Sequence, residues 1–510
     1  MTLQPQHSLS EAERQHALGQ VVTEGAFAAA ATALTSGVIL TALAMHLGAS
    51  NLVIGVLASA PFLGQLLQAP AILLVERLRQ RKLISVIGGL AGRVMMALMA
   101  LSPFLPPDMG IAALVLAQLI LCSMSAVGSC AWNAWMRDLA PEDRLGWVFS
   151  RRTAYAASVS LFAGIAAAIV LDRTTEGSAW RSIIFGALYG LGFLAGLVSA
   201  WLTSRIPEPA MPPRPEVQLG LIGLLREPLA DRNFRRLTVF LASWQFAINL
   251  ATPFFTVFIV RQLGFDMTFV MVLSVVSQLA NLVALRNWGA LADRFANKSV
   301  LLVAAPTYIV CIVAMIGASQ MAHGPWLIAY LVVLHLFMGS AVAGATLATT
   351  SIALKLSPKG QSTAYVATAG LATAVAAGVA PILGGAFADF FAARQFELLL
   401  RWTSPEGVAI VSPLRLSQWD FYFLIAGALG LYALHRLTLV REKGEIKRRE
   451  MLQQVIHQTR RTARNVSTVA GLRTLTYLPA TLLRDAEVRA RFLRLQRRRI
   501  RQTRRATIPV

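Results

Sequence analysis

Charge is scarce in this sequence, and negative charge is scarcest. Of 510 residues only 14% are charged, where a soluble protein carries roughly a quarter. Lys and Arg number 47, against 25 Asp and Glu. The three cysteines are Cys122, Cys130 and Cys311. No two have metal-ligand spacing, and all stand in or at the ends of apolar runs. They read as small core residues. No Gly-rich loop leads into Lys-Ser/Thr, which argues against ATP-driven chemistry. A Ser-centred nucleophile elbow is also missing. So is any convergence of acids and histidines that would make an enzyme or a metal site. Neither a cofactor nor a metal is expected.

Apolar sequence fills the chain instead, at 56% of residues. Runs of about 20 apolar residues recur, each long enough to cross a bilayer as a helix. Length alone would suggest three domains, but the spans override that prior. The formal net charge of +22 then points to loops lying against anionic lipid rather than to nucleic acid.

Taken in order, residues 1–16 form a polar N-terminal segment. The following run is too long for a signal peptide and reads as a retained first helix. Six spans fill residues 17–203, at about Ala17–Leu43, Asn51–Val75, Leu83–Leu105, Gly110–Trp132, Thr153–Leu171 and Trp180–Leu202. Residues 204–236 are polar and hold Pro207, Pro209, Pro212, Pro213 and Pro215, the natural linker. Six more spans fill residues 237–440, at about Leu237–Val260, Met267–Trp288, Val300–Ser319, Pro325–Thr349, Thr363–Phe390 and Trp419–Val440. Phe391 to Gln418 reads as a loop with both signs of charge. Residues 441–510 form a strongly basic tail. Lys and Arg gather in the loops after spans two, four, six, eight and ten. That places both termini in the cytoplasm and requires an even number of spans.

Between the eighth and ninth spans the chain reads GALADRFANK, Gly289 to Lys298. A short segment carrying Asp293, Arg294 and Lys298 between two membrane-length runs must turn at a membrane surface. The pattern resembles the Gly-x-x-x-Asp-Arg-x-Gly-Arg-Lys/Arg loop of the major facilitator superfamily of secondary transporters, with Ala296 where that family has its second Gly. The family has two parallel six-helix halves, and the chain carries traces of such a repeat. Glu76-Arg77 answers Asp293-Arg294, with 293 − 76 = 217. LGAS at Leu47 answers LGFD at Leu263, with 263 − 47 = 216, and the proline of LAP, Pro141, answers that of LSP, Pro358, with 358 − 141 = 217. The first copy departs from the family, with Ile72 for the leading Gly and Glu76 for Asp.

The resemblance implies an all-α integral membrane fold of about twelve helices in two six-helix halves. Spans one, four, seven and ten would line a central cavity. The implied function is secondary active transport of a small organic solute by alternating access. A lipid flippase or other lipid-handling protein is the alternative, and a membrane enzyme has less behind it.

Polar residues inside spans are costly in lipid and mark candidate sites. Glu24 is the carboxylate set well within an apolar run. It either exchanges a proton during transport or pairs with an Arg or Lys. Gln245 and Asn249 share a helix face beside Trp244, for substrate or for an interhelical bond. His335, in the tenth span, either titrates or donates to a backbone carbonyl. Gln65, Gln68, Gln278 and Asn281 read as polar glue between the halves. Arg93 needs a partner that the sequence does not identify. Gly289, Asp293, Arg294, Lys298, Glu76 and Arg77 are the gating candidates.

Gly378, Pro381, Gly384 and Gly385 resemble the Gly-Pro element that drug–proton antiporters of the family carry in the fifth span. Here they stand in the eleventh, which speaks against drug antiport. In the tail, Val488, Phe492 and Leu495 recur at i, i+4 and i+7 among arginines. They predict a basic amphipathic helix on anionic inner-leaflet lipid, with RNA binding or a solvated disordered arm as the alternatives. A monomer in a bacterial inner membrane is the expected form.

Overall fold

A polypeptide inside hydrocarbon must satisfy every backbone N–H and C=O internally, so long apolar runs become helices. The structure, a computed structural model, describes residues 5–6, 10–140, 142–175, 177–211, 227–358, 362–404, 407–445 and 449–456. The basic tail helix expected around Val488 and the middle of the linker, 212–226, lie outside the described residues.

Among the described residues, twelve helices are long and apolar enough to span a membrane. Spans one to six are Glu13–His46, Asn51–Leu78, Arg81–Phe104, Pro107–Leu139, Val148–Asp172 and Ala179–Arg205. Spans seven to twelve are Arg232–Gln262, Met267–Arg294, Asn297–Ser319, Pro325–Lys355, Ala364–Phe391 and Gln418–Thr438. With twelve crossings the chain starts and finishes at one end of the bundle, here the terminal face. The opposite end is the far face.

Several spans run past the limits expected from hydropathy, because polar terminal turns still hydrogen-bond as helix. The first helix opens at Glu11 on a capping box in which Ser10 and Glu13 bond reciprocally. The same effect corrects the reading of the Gly289 segment. Gly289 to Arg294 continue the eighth helix, and only Phe295 and Ala296 separate it from the ninth. Glu76 and Arg77 likewise lie in the last helical turn of the second span. That span breaks at Leu66–Leu67, where Pro70 has no N–H to offer the carbonyl of Leu66.

A second correction concerns Phe391 to Gln418. Instead of a loop it holds two antiparallel strands, β1 (Phe396–Ser404) and β2 (Gly407–Leu416). Val408, Ile410 and Val411 on β2 favour extended backbone. The expected all-α membrane fold of about twelve helices holds, with one hairpin added on its far face.

The first and seventh spans are both interrupted. The first breaks at Ser36–Gly37, where Gly37 takes φ +59°, a conformation that suits glycine. The seventh breaks at Thr252–Pro253 and ends in a widened turn, Phe258–Gln262. Pro253 follows Ser36 by 253 − 36 = 217 residues, so the breaks are repeat partners. The two halves meet through span eleven on span two and span eight on span five. A Cβ at Gly378 would sit 2.7 Å from Leu63 of the second span, and Cβ atoms at Gly55 and Gly385 would strike the backbone of Pro381 and Asn51. Gly378 and Gly385 of the eleventh span are thus spent on close approach to the other half, while Gly384 packs on Leu250 and Tyr422 of its own.

Candidate functional site

A cavity of about 530 Å³ lies between the halves at the level of the two helix breaks. Gly37 and Thr41 line it from the first span, Gln118 and Cys122 from the fourth, and Thr252 and Thr256 from the seventh. The eighth span contributes Gln278 and the tenth His335. Broken helices belong beside such a cavity, because freed backbone groups need polar surroundings. The imidazole of His335 is buried, and its Nδ1 lies 2.8 Å from the carbonyl of Leu331. A carbonyl only accepts, so Nδ1 donates there.

Gln245 and Asn249 do not join this lining. They stand nearer the terminal face, and the Asn249 amide donates to the backbone carbonyl of Gln245 at 2.8 Å. Farther along the same helix face, Thr252 and Thr256 reach the cavity.

A second cavity, of about 360 Å³, lies inside the first half. Glu24 lines it, thirteen residues after Glu11 and so about 20 Å along the helix at 1.5 Å per residue. This carboxylate is 4% exposed. Arg152 of the fifth span donates to it at 3.1 Å, and Ser199 of the sixth at 2.8 Å. Arg93 of the third span donates to Ser199 at 2.7 Å. The partner missing from the sequence reading of Arg93 is therefore a hydroxyl relayed to Glu24. Arg152 also lies over the ring of Trp132 at 4.7 Å.

Carboxylates seat the helix starts in a repeated pattern that the sequence reading missed. At the far face, Asp389 at the end of span eleven accepts from the N–H groups of Asn51 and Leu52 at 3.1 and 2.8 Å, and from the Asn51 side chain at 2.8 Å. Asp172 at the end of span five accepts from the N–H groups of Met267 and Thr268 at 3.0 and 2.6 Å. Each bond joins one half to the other. At the terminal face, Glu208 accepts from the N–H groups of Arg81 and Lys82 at 2.8 and 3.1 Å. Glu442 accepts from Asn297 and Lys298 at 3.3 and 2.7 Å. These two caps stay within their own half. A carboxylate at a helix N-terminus answers both unpaired N–H groups and the helix dipole.

Among the gating candidates, Lys298 is buried. Its ammonium meets the carbonyl of Val440 and the carboxylate of Glu445, both at 2.7 Å. Asp293 and Arg294 are exposed. Arg294 lies over the ring of Phe295 at 5.2 Å. Asp293 has no hydrogen-bond or ion-pair partner among the described residues. Gly289 has open space around its Cα. Glu76 is half-buried and Arg77 exposed.

The sequence model of the Major Facilitator Superfamily matches residues 25–350 and 245–492. The chain belongs to the Major Facilitator Superfamily. It is a membrane transporter rather than an enzyme, and its solved neighbours share that superfamily's fold. A point mutant of the nucleoside transporter NupG superposes with a TM-score of 0.62 at 13% identity, over 83% of this chain and 100% of that one. The D-xylose–proton symporter gives 0.61 at 15% identity, over 84% and 99%. A bacterial homologue of the iron transporter ferroportin, in an inward-facing state, gives 0.62 at 11% identity, over 84% and 99%. At such identities the likeness concerns the fold. No curated protein matches the chain in sequence.

Proposed function

We propose that this superfamily member moves a small organic solute by alternating access, with protons coupled through Glu24. The observation that carries this reading is Glu24 itself, a buried carboxylate about a third of the way along the first span, facing a cavity and held by Arg152 and Ser199. An unpaired charge is expensive at that depth, so proton and partner exchange together. When Glu24 takes a proton, Arg152 is released, and the packing of spans one, five and six can change.

Lys and Arg in the even-numbered loops favour a cytoplasmic terminal face. The Asp172 and Asp389 caps then close the outer side, and solute meets the central cavity from within. The chain works as a monomer in a bacterial inner membrane, with its basic tail against anionic inner-leaflet lipid. Structural neighbours that include a nucleoside transporter and a D-xylose–proton symporter support a small organic solute.

The test is uptake into proteoliposomes across a solute panel under a pH gradient, with labelled-lipid translocation as a second arm. The wild-type chain is expected to accumulate a solute. Glu24→Gln is expected to lose accumulation yet keep counterflow, because Gln retains hydrogen bonds and loses the titration. Normal accumulation by Glu24→Gln overturns the coupling. Lipid translocation without solute uptake overturns the substrate class.

A further inference from the structure

Two arginines point into the interior of the first half, and one carboxylate answers them. Of the described residues lining the inner cavity, Arg93 and Arg152 are positive and Glu24 alone is negative. The other elements packed around Glu24 face it with neutral groups. These are Ser125, Ser129 and Asn133 from the fourth span and Ser199 and Thr203 from the sixth. The cavity therefore holds one surplus positive charge. Arg93 and Arg152 are both half-buried, and a positive charge partly withdrawn from water gains by taking an anionic partner.

Three glycines make room for these arginines. A Cβ at Gly89 would lie 2.8 Å from Nη1 of Arg93, and one at Gly196 would lie 3.0 Å from its Cδ. A Cβ at Gly25 would lie 2.6 Å from Cγ of Arg152. Both guanidiniums are thus seated by the packing of the bundle. Their donors are incompletely used. Among the described residues, the Nε of Arg152 is buried without a hydrogen-bond partner, and Arg93 reaches Glu24 only through Ser199.

We propose that this cavity seats the carboxylate of a small organic anion between Arg93 and Arg152, as the docking group of the transported solute; this rests on the transporter reading above. The resident Glu24 shows that Arg152 takes a carboxylate directly, while Arg93 meets it through the Ser199 hydroxyl and keeps donors for a second one. A planar guanidinium forks onto carboxylate oxygens with two parallel bonds. A second carboxylate brings the local charge to balance. Trp132, Met96 and Leu121 offer an apolar wall for the body of the ligand, and about 360 Å³ fits a small molecule. The position suits a way station. Along the fourth span, Gln118 and Cys122 face the central cavity, and Leu121 and Ser125 face this one, a turn nearer the terminal face.

The test uses the purified full chain in detergent, labelled benzoate as the probe, and benzamide as its uncharged counterpart. Equilibrium dialysis is expected to show saturable benzoate binding that benzamide does not displace. Arg93→Gln and Arg152→Gln should each weaken it on the order of tenfold, the loss of a charge-assisted bond. Glu24→Gln should tighten it several-fold, since the resident competitor is gone. Gly89→Ala keeps every charge, presses on Arg93 and should also weaken binding, which guards against an arginine variant that fails to fold. Absent saturable binding, equal binding in well-folded arginine variants, or weaker binding in Glu24→Gln each overturns the proposal. Solute accumulation by the wild-type chain and its loss in Glu24→Gln are read separately, so the transporter reading survives or falls independently.

Discussion

Asp172 and Asp389 are repeat partners, 389 − 172 = 217 residues apart, and each caps a helix of the opposite half. The two carboxylates act as crossed latches at the far face. Glu208 and Glu442 do the same chemistry at the terminal face but hold each half to itself. A rocking motion must break the first pair and can leave the second intact. On the alternating-access reading proposed above, the distribution of caps separates the joint that opens from the bodies that move.

Removing the latches should open the far face. Hydrogen bonds to a charged group contribute about 1.5–3 kcal/mol each, and about 1.4 kcal/mol is a factor of ten in population. Cys122 lines the central cavity and serves as a reporter once Cys130 and Cys311 are replaced by Ala. A membrane-impermeant maleimide added from the far side should label Cys122 several-fold faster in the D172N/D389N double variant than in its parent. Equal rates in both would show that the caps do not hold the gate.

The terminal-face caps should behave as structural elements. Glu442 is buried and accepts from two backbone N–H groups and from the Asn297 side chain, with Lys355 at 3.5 Å. Glu442→Ala leaves those donors unanswered and should cost about 2–4 kcal/mol. It would appear as a lower melting temperature in detergent. Glu442→Gln, which keeps an acceptor, should lie between Ala and wild type. Neither change is expected to alter which face labels Cys122.

Asp293 offers a contrast within one motif. It is exposed and without a partner among the described residues, whereas Lys298 is buried and bonded. An exposed residue of this kind is worth within about 0.5 kcal/mol to stability. Asp293→Asn should therefore leave the melting temperature of this state unchanged and slow transport, if the motif closes only when the terminal face closes. Unchanged uptake would reduce Asp293 to a residue of the helix end.

Topology has its own check. Reporter fusions at Pro213 and Ile446 should both give cytoplasmic signals, following the Lys and Arg of the even-numbered loops. A signal from outside at either position would refute the proposed orientation.

Twelve spans, the repeat and the superfamily were legible in the sequence, because lipid forces long apolar helices and the 217-residue offset survives in short motifs. Asp172 and Asp389 obey that offset too, and the same comparison would have found them. Segment ends were less legible. Gly289 to Arg294 read as a loop by charge, yet Asp293 and Arg294 extend a helix into solvent at no cost to its hydrogen bonds. The hairpin at Phe396 to Leu416 was hidden by mixed charge, since strands gain their bonds from a partner rather than from their own pattern.

The site depended on tertiary structure most of all. Glu24 stood out by sequence as an acid in an apolar run, and Arg93 as a base without an answer. Nothing in the chain's order joins positions 24, 93, 152 and 199. Four helices of one bundle bring them together, and glycines at 25, 89 and 196 set how near the arginines come. Hydropathy reports that a residue lies in the membrane. Which neighbours compensate its charge there depends on helix rotation and packing distance, and those exist only once the bundle has formed.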